Sequence, residues 1–127
     1  MAKNAVGWFE IPVSDMGRAI RFYETVFDTK LNRFPMGPLE MAMFPDGDEA
    51  MGSSGALVFH EEFYKPSQEG TLIYFTAQSG DLANELARVE NAGGKVLIEK
   101  RPIADDIGFM GLFLDSEGNR IAIHSRK

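Results

Sequence analysis

The chain has 127 residues, 44% of them hydrophobic and 11% aromatic, enough to build one domain around its own core. A formal charge of −6 and a pI near 4.9, with no run of Lys or Arg, oppose both the nucleic-acid backbone and anionic lipid as partners. There is no cysteine, which excludes disulfides, thiolate metal sites and a Cys nucleophile. No signal-type leader and no apolar run of about eighteen residues occurs, so a soluble cytoplasmic protein is expected.

Residues 6–13 alternate, with Phe9, Ile11 and Val13 on one face and Trp8, Glu10 and Pro12 on the other, which predicts a strand. Asp15 is placed to cap a helix over 16–27, whose apolar stripe is Met16, Ala19, Ile20, Tyr23, Val26 and Phe27. Strands are expected at 30–34 and 40–44, with a turn at Pro35-Met-Gly-Pro38 between them. Residues 45–54, PDGDEAMGSS, are acidic, Gly-rich and aperiodic and are expected to form a mobile surface loop. Ala56 to His60 is a further strand, and the polar stretch 61–70, EEFYKPSQEG, is the expected linker.

The same order then recurs. A strand over 71–77 leads to Asp81, a cap for a helix over 82–92 with Leu82, Leu86 and Val89 inward, and Gly93-Gly94 is a helix stop. Strands follow at 95–100, 109–114 and 120–125, with a connection at 101–108 and a turn at Ser116-Glu-Gly-Asn119. The recurrence extends to the letters. An offset of 66 carries Phe9 onto Phe75, Asp15 onto Asp81, Met16 onto Leu82, Ile20 onto Leu86, Glu24 onto Glu90 and Leu31 onto Leu97, and an offset of 64 carries Gly55–His60 onto Asn119–His124. The expected fold is therefore α+β, a single domain over 1–127 made of two tandem βαβββ modules at about 1–65 and 70–127.

Four segments in this frame resemble the vicinal oxygen chelate superfamily, which includes glyoxalase I, bleomycin-resistance proteins and extradiol dioxygenases. They are Ile11-Pro-Val-Ser-Asp15, Arg21-Phe-Tyr23 with Val26-Phe27-Asp28, Ala92-Gly-Gly-Lys-Val96, and Asp115-Ser-Glu-Gly-Asn-Arg-Ile121. The resemblance implies a cupped, partly open sheet whose cleft holds the ligand, and a homodimer. It also implies metal ligands on the first and last strand of each module, at positions occupied here by Trp8, Val58, Tyr74 and Ala122. Only Tyr74 could ligate, so the usual metal chemistry is not expected and no cofactor is assigned.

Strand alternation places Glu10, His60, Thr76 and His124 one step beyond those four positions on the same face. Glu10, His60 and His124 are the candidates for acid-base chemistry, with Glu10 next to His60 and Thr76 next to His124 if the first and fourth strands of each module are neighbours. Trp8 and Tyr74 are expected to face each other as aromatic walls for a flat or cationic apolar molecule, and Met51 is the candidate lid in the acidic loop. The resulting expectation is a small-molecule-binding protein of this superfamily without the usual metal. Two alternatives stand beside it: a divalent-metal lyase or dioxygenase with unusual ligands such as Glu10 and the two histidines, and a structural or partner-binding dimer with a filled cleft. No Walker loop, GxGxxG, HExxH or GxSxG motif offers another chemistry.

Overall fold

The computed structural model describes residues 5–45 and 52–127. Within them the chain runs β1 (Trp8–Pro12), α1 (Met16–Phe27), β2 (Asn32–Met36), β3 (Leu39–Met43), β4 (Ser54–Phe59), β5 (Ile73–Thr76), α2 (Leu82–Val89), β6 (Lys95–Ala104), β7 (Gly108–Leu114) and β8 (Arg120–Ser125). The strands form two four-stranded sheets ordered β1-β4-β3-β2 and β5-β8-β7-β6, the same topology twice. In each, the outer pair β1/β4 or β5/β8 is parallel and the rest antiparallel. No helix is long and apolar enough to cross a membrane.

Both helices begin where their aspartates stand. The Asp15 carboxylate accepts from the Arg18 N–H at 3.0 Å, and that of Asp81 from the Ala83 N–H at 3.0 Å. The buried stripe of α1 includes Phe22 as well as Tyr23, while Ile20 is only partly buried, because α1 packs on its own sheet and on the second module at once. Helix α2 stops at Val89, three residues short of the expected end, and its last turn is drawn in by bonds from Gly93 N–H to Glu90 O and from Gly94 N–H to Val89 O. Gly93 takes φ 108°. Gly94 serves a different need: a Cβ there would stand 2.3 Å from the Leu114 carbonyl oxygen and 2.6 Å from the Phe22 ring.

Two prolines lie inside strands rather than in the expected turns. Pro35 in β2 pairs with Glu40, leaving the turn to Gly37-Pro38, and Pro102 lies in β6, which runs on to Ala104 through several register shifts. Both are edge strands, where a missing N–H costs no ladder bond.

One face of each sheet is turned to the helices. Phe9 and Ile11 of β1 and Val13 just after it, with Ile73, Phe75 and Ala77 on the β5 side, join the shared core of α1, α2 and both sheets. Aromatic rings bind the modules together there: Phe75 lies 4.6 Å from Phe27, 5.5 Å from Phe44 and 5.6 Å from Phe9 between centroids. Polar stitches close the same seam. Glu117, in the β7–β8 turn, has a fully buried side chain that accepts from the Ser14 and Asp15 N–H groups at 2.8 Å each and from Arg18 at 2.7 and 3.0 Å. A carboxylate of the second module thus neutralises the start of the first module's helix. Beside it, Tyr23 donates to Asp115 at 2.6 Å, and Asn119 donates to the Pro12 carbonyl at 2.8 Å.

Candidate functional site

The other face of each sheet, turned away from the helices, carries the residues singled out from the sequence. On the first sheet it holds Trp8 and Glu10 of β1, Leu39, Met41 and Met43 of β3, Phe34 of β2, and Ala56 and Val58 of β4. Met41, Ala56 and Val58 are buried there as a cluster separate from the main core. On the second sheet the corresponding face holds Leu72, Tyr74 and Thr76, then Met110, Leu112, Ala122, His124 and Ile98.

The focus of the first face is a carboxylate held by two rings. Glu10 is half-buried, and its two oxygens accept from the Trp8 indole N–H at 3.2 Å and from the Tyr64 hydroxyl at 2.6 Å. The hydrogen bond to Glu10, with partial burial and the adjacent negative charge, pushes the Tyr64 hydroxyl above its ordinary pKa, so it remains a donor at neutral pH. Trp8 is 41% exposed, its ring accessible and its tilt set by this bond. Tyr64 belongs to the stretch read as a plain linker. Instead, residues 61–63 turn back and Tyr64 packs over Met41, Ala56 and Val58. The only sequence signal was an aromatic pair, Phe63-Tyr64, in an otherwise polar run.

The histidines are engaged elsewhere. His60 does not pair with Glu10: the parallel register sets Glu10 opposite Ala56, and His60 Nδ1 accepts from the Glu62 and Phe63 N–H groups at 3.0 and 3.3 Å, tightening the turn that delivers Tyr64. His124 does lie opposite Thr76, and its Nε2 is 2.6 Å from the Ile107 carbonyl, tying β8 to the β6–β7 turn. Tyr74 is 52% exposed and makes no ring contact with Trp8. Met51 lies outside the described residues.

The registers also revise the match between modules. The last parallel bond runs from Val13 N–H to Val58 O in the first and from Ala77 N–H to His124 O in the second. From that bond to the helix cap there is one residue, Ser14, in the first module and three, Gln78, Ser79 and Gly80, in the second. The first strands β1 and β5 are therefore related by an offset of 64, whereas the helices and the last strands β4 and β8 are related by 66. The ungapped match of Trp8–Leu31 with Tyr74–Leu97 hides a two-residue length difference before the helix, and the offset of 64 read for Gly55–His60 is two residues short. Tyr74 is the counterpart of Glu10, Leu72 that of Trp8, and Ala56 that of Ala122. Neither Trp8, Val58, Tyr74 and Ala122 nor the re-indexed Trp8, Ala56, Leu72 and Ala122 supplies a ligand set. Among the described residues no three His, Asp or Glu side chains are grouped to hold a metal ion. The residues present do not fit the divalent ion of metal-dependent relatives.

A family model described as the Glyoxalase/Bleomycin resistance protein/Dioxygenase superfamily matches residues 5–123, and the chain belongs to that superfamily. Among solved structures, a glyoxylase/bleomycin resistance protein/dioxygenase domain from Frankia sp. EAN1pec is 17% identical with a TM-score of 0.73, the match covering 99% of this chain and 100% of that one. TnmS3, an antibiotic binding protein from Streptomyces sp. CB03234, is 24% identical with a TM-score of 0.66 over 100% of this chain and 99% of that one. Glyoxalase I from Zea mays is 19% identical with a TM-score of 0.65, covering 94% of this chain but 45% of that one, so the chain spans just under half of that enzyme's length. No curated protein sequence matches the chain.

Proposed function

We propose that this protein binds a small flat apolar or aromatic molecule on the open face of its first sheet, without the metal used by its metal-dependent relatives. The observation that carries the reading is the Trp8–Glu10–Tyr64 arrangement: an accessible indole fixed to a carboxylate whose other oxygen is held by a second ring, over a floor of Met41, Ala56 and Val58. Aromatic walls with one oriented polar group over apolar side chains suit a ligand that stacks and makes a single directed bond. The antibiotic-binding relative, with the same fold over the whole chain, is in keeping with sequestration rather than turnover. Tyr74 and Thr76, on the equivalent face of the second sheet, form the opposite wall if a second copy completes the cleft, and the working unit is then a cytoplasmic homodimer. Sedimentation at micromolar concentration tests that part: a mass near the 14.1 kDa of one chain removes the dimer.

The binding test is a screen of aromatic, cationic and dicarbonyl metabolites by thermal shift and by Trp8 emission, against wild type and Trp8→Ala. Trp8 is the sole tryptophan, so a change in emission reports this face alone. Hits that stabilise the wild type and lose most of their effect in Trp8→Ala support the site. Hits that shift both proteins equally place the ligand elsewhere.

A further inference from the structure

We infer that the ligand taken at Trp8 and Glu10 is an organic cation, an ammonium or amidinium group carried on a flat apolar body. This rests on reading the face as a binding site and goes on to fix the charge of what binds. Glu10 is half-buried, yet both of its hydrogen bonds come from neutral ring donors, and none of the salt bridges among the described residues includes it. A carboxylate offers about four acceptor positions, so two ring donors leave capacity for a ligand's N–H groups.

The other sheltered carboxylates are committed to the fold. Glu117 is matched by Arg18 and two backbone N–H groups, and Asp81 is bonded to Lys100 at 2.8 Å. Glu85 takes both the N–H and the hydroxyl of Ser79, and Asp115 accepts from Tyr23, from Asn119 and from the Glu117 N–H. None of these stands beside an accessible indole. Glu10 does, and the exposed indole is bound to it through its N–H edge, which leaves an electron-rich ring face to meet a cation, while Tyr64, packed on Met41, Ala56 and Val58, closes the other side of the carboxylate. The surroundings favour the same sign. The nearest walls are apolar, and the chain as a whole carries −6, which attracts cations to it. The second sheet's face is opposite in character: Arg120 lies there on the same side as Ala122, and its Nε is buried without a hydrogen-bond partner. An anionic ligand is the natural rival.

Three probes with one naphthyl body separate these cases: naphthylmethylammonium, naphthalenemethanol and naphthoate, titrated by calorimetry into the full chain. The ammonium is expected to bind about tenfold tighter than the alcohol at low salt, with the advantage shrinking as ionic strength rises. In Glu10→Gln, which keeps an acceptor for Tyr64, the ratio of ammonium to alcohol affinity should fall to within about twofold, and it is this ratio, not either affinity alone, that reads the charge. Circular dichroism and melting of the variant check that it is folded, and the salt dependence in the wild type is an independent reading if it is not. Equal affinity for ammonium and alcohol, tightest binding of naphthoate, or a cation preference that survives in Glu10→Gln overturns the inference. If all three probes bind equally and all are lost in Trp8→Ala, the site stands and only the charge assignment is wrong. If none binds, or all bind Trp8→Ala unchanged, the site itself is wrong and the inference falls with it.

Discussion

The two modules share one topology and are used differently, and the differences are concentrated on the faces turned away from the helices. In the first module that face has a carboxylate between two rings and a roof, because the chain turns back after β4 to lay Tyr64 over the methionines. In the second, the position of Glu10 is taken by the exposed Tyr74, and the buried part of the face is Met110, Leu112 and Ala122. The helix-facing sides diverge less. Each helix is capped by its own Asp, but α1 receives Glu117 from the other module, whereas the N-terminus of α2 receives Ser125 Oγ from its own sheet, 3.0 Å from the Leu82 N–H. The two modules agree most where they pack together and differ most on their outer faces.

The largest effect should come from filling the space beside Gly94, which is closed by its own module's β7 and by Phe22 of the other. Gly94→Ala drives a Cβ into the Leu114 carbonyl and the Phe22 ring, and a loss of about 3 kcal/mol is expected in urea unfolding. A variant as stable as wild type would mean that Gly94 is not held against Leu114 of its own module and Phe22 of the other as closely as this contact requires.

Glu117→Ala comes next, at about 2–3 kcal/mol, since it strips two backbone N–H groups and Arg18 of their acceptor. Its pH dependence can be signed. Burial alone would push the Glu117 carboxyl up, but the Arg18 bond and the backbone N–H bonds outweigh it and hold its pKa below the ordinary value. A lowered folded-state pKa gives stability that is present above the ordinary carboxylate range and lost as pH falls through and below it. Asp115 acts in the opposite sense. Burial raises it despite its hydrogen bonds, so its contribution is present at low pH and lost as pH rises through its raised value. Melting curves of Glu117→Gln against wild type should therefore differ most at neutral pH and converge on acidification. A constant gap across that range would contradict the Glu117 assignment.

For the outer faces, Trp8→Ala is expected to weaken a bound aromatic ligand about tenfold or more, while Tyr74→Ala in a single chain should change affinity by less than about twofold. An equal loss from Tyr74→Ala would show that both faces line one cleft and would make the second wall part of the site. The smallest effect lies at the end of α1, where Asp28 holds φ 52°, a conformation that its counterpart region in module two assigns to Gly93. Asp28→Gly should stabilise by about 0.5–1 kcal/mol, and a loss would mean that the Asp28 side chain does more than close the helix.

The helices and the eight strands were legible in the sequence because alternation, caps and glycine stops are local signals, whereas the 1-4-3-2 order of each sheet is set by the fold. Strand ends at Pro35 and Pro102 were not, since a proline is permitted only by an edge position that topology decides. The site was legible in part. Trp8 and Glu10 follow from alternation on β1, but their bond to each other and to Tyr64 depends on a chain reversal after β4 that a polar stretch conceals. The pairing of Trp8 with Tyr74 failed as a structural equivalence because two inserted residues before α2 restore the helix repeat and mask a shift in the strand.

On the proposed reading the ligand meets the protein at Trp8 and Glu10. The chain's one indole N–H gives a single, unmistakable resonance in a nitrogen-15 correlation spectrum, and that proton is the one donated to Glu10. Titration with naphthylmethylammonium should move this resonance progressively with the same saturation curve as the calorimetric heat, as the cation competes for the carboxylate and stacks on the ring. Saturable heat with an indole resonance that stays in place would put the ligand elsewhere on the molecule and contradict the account.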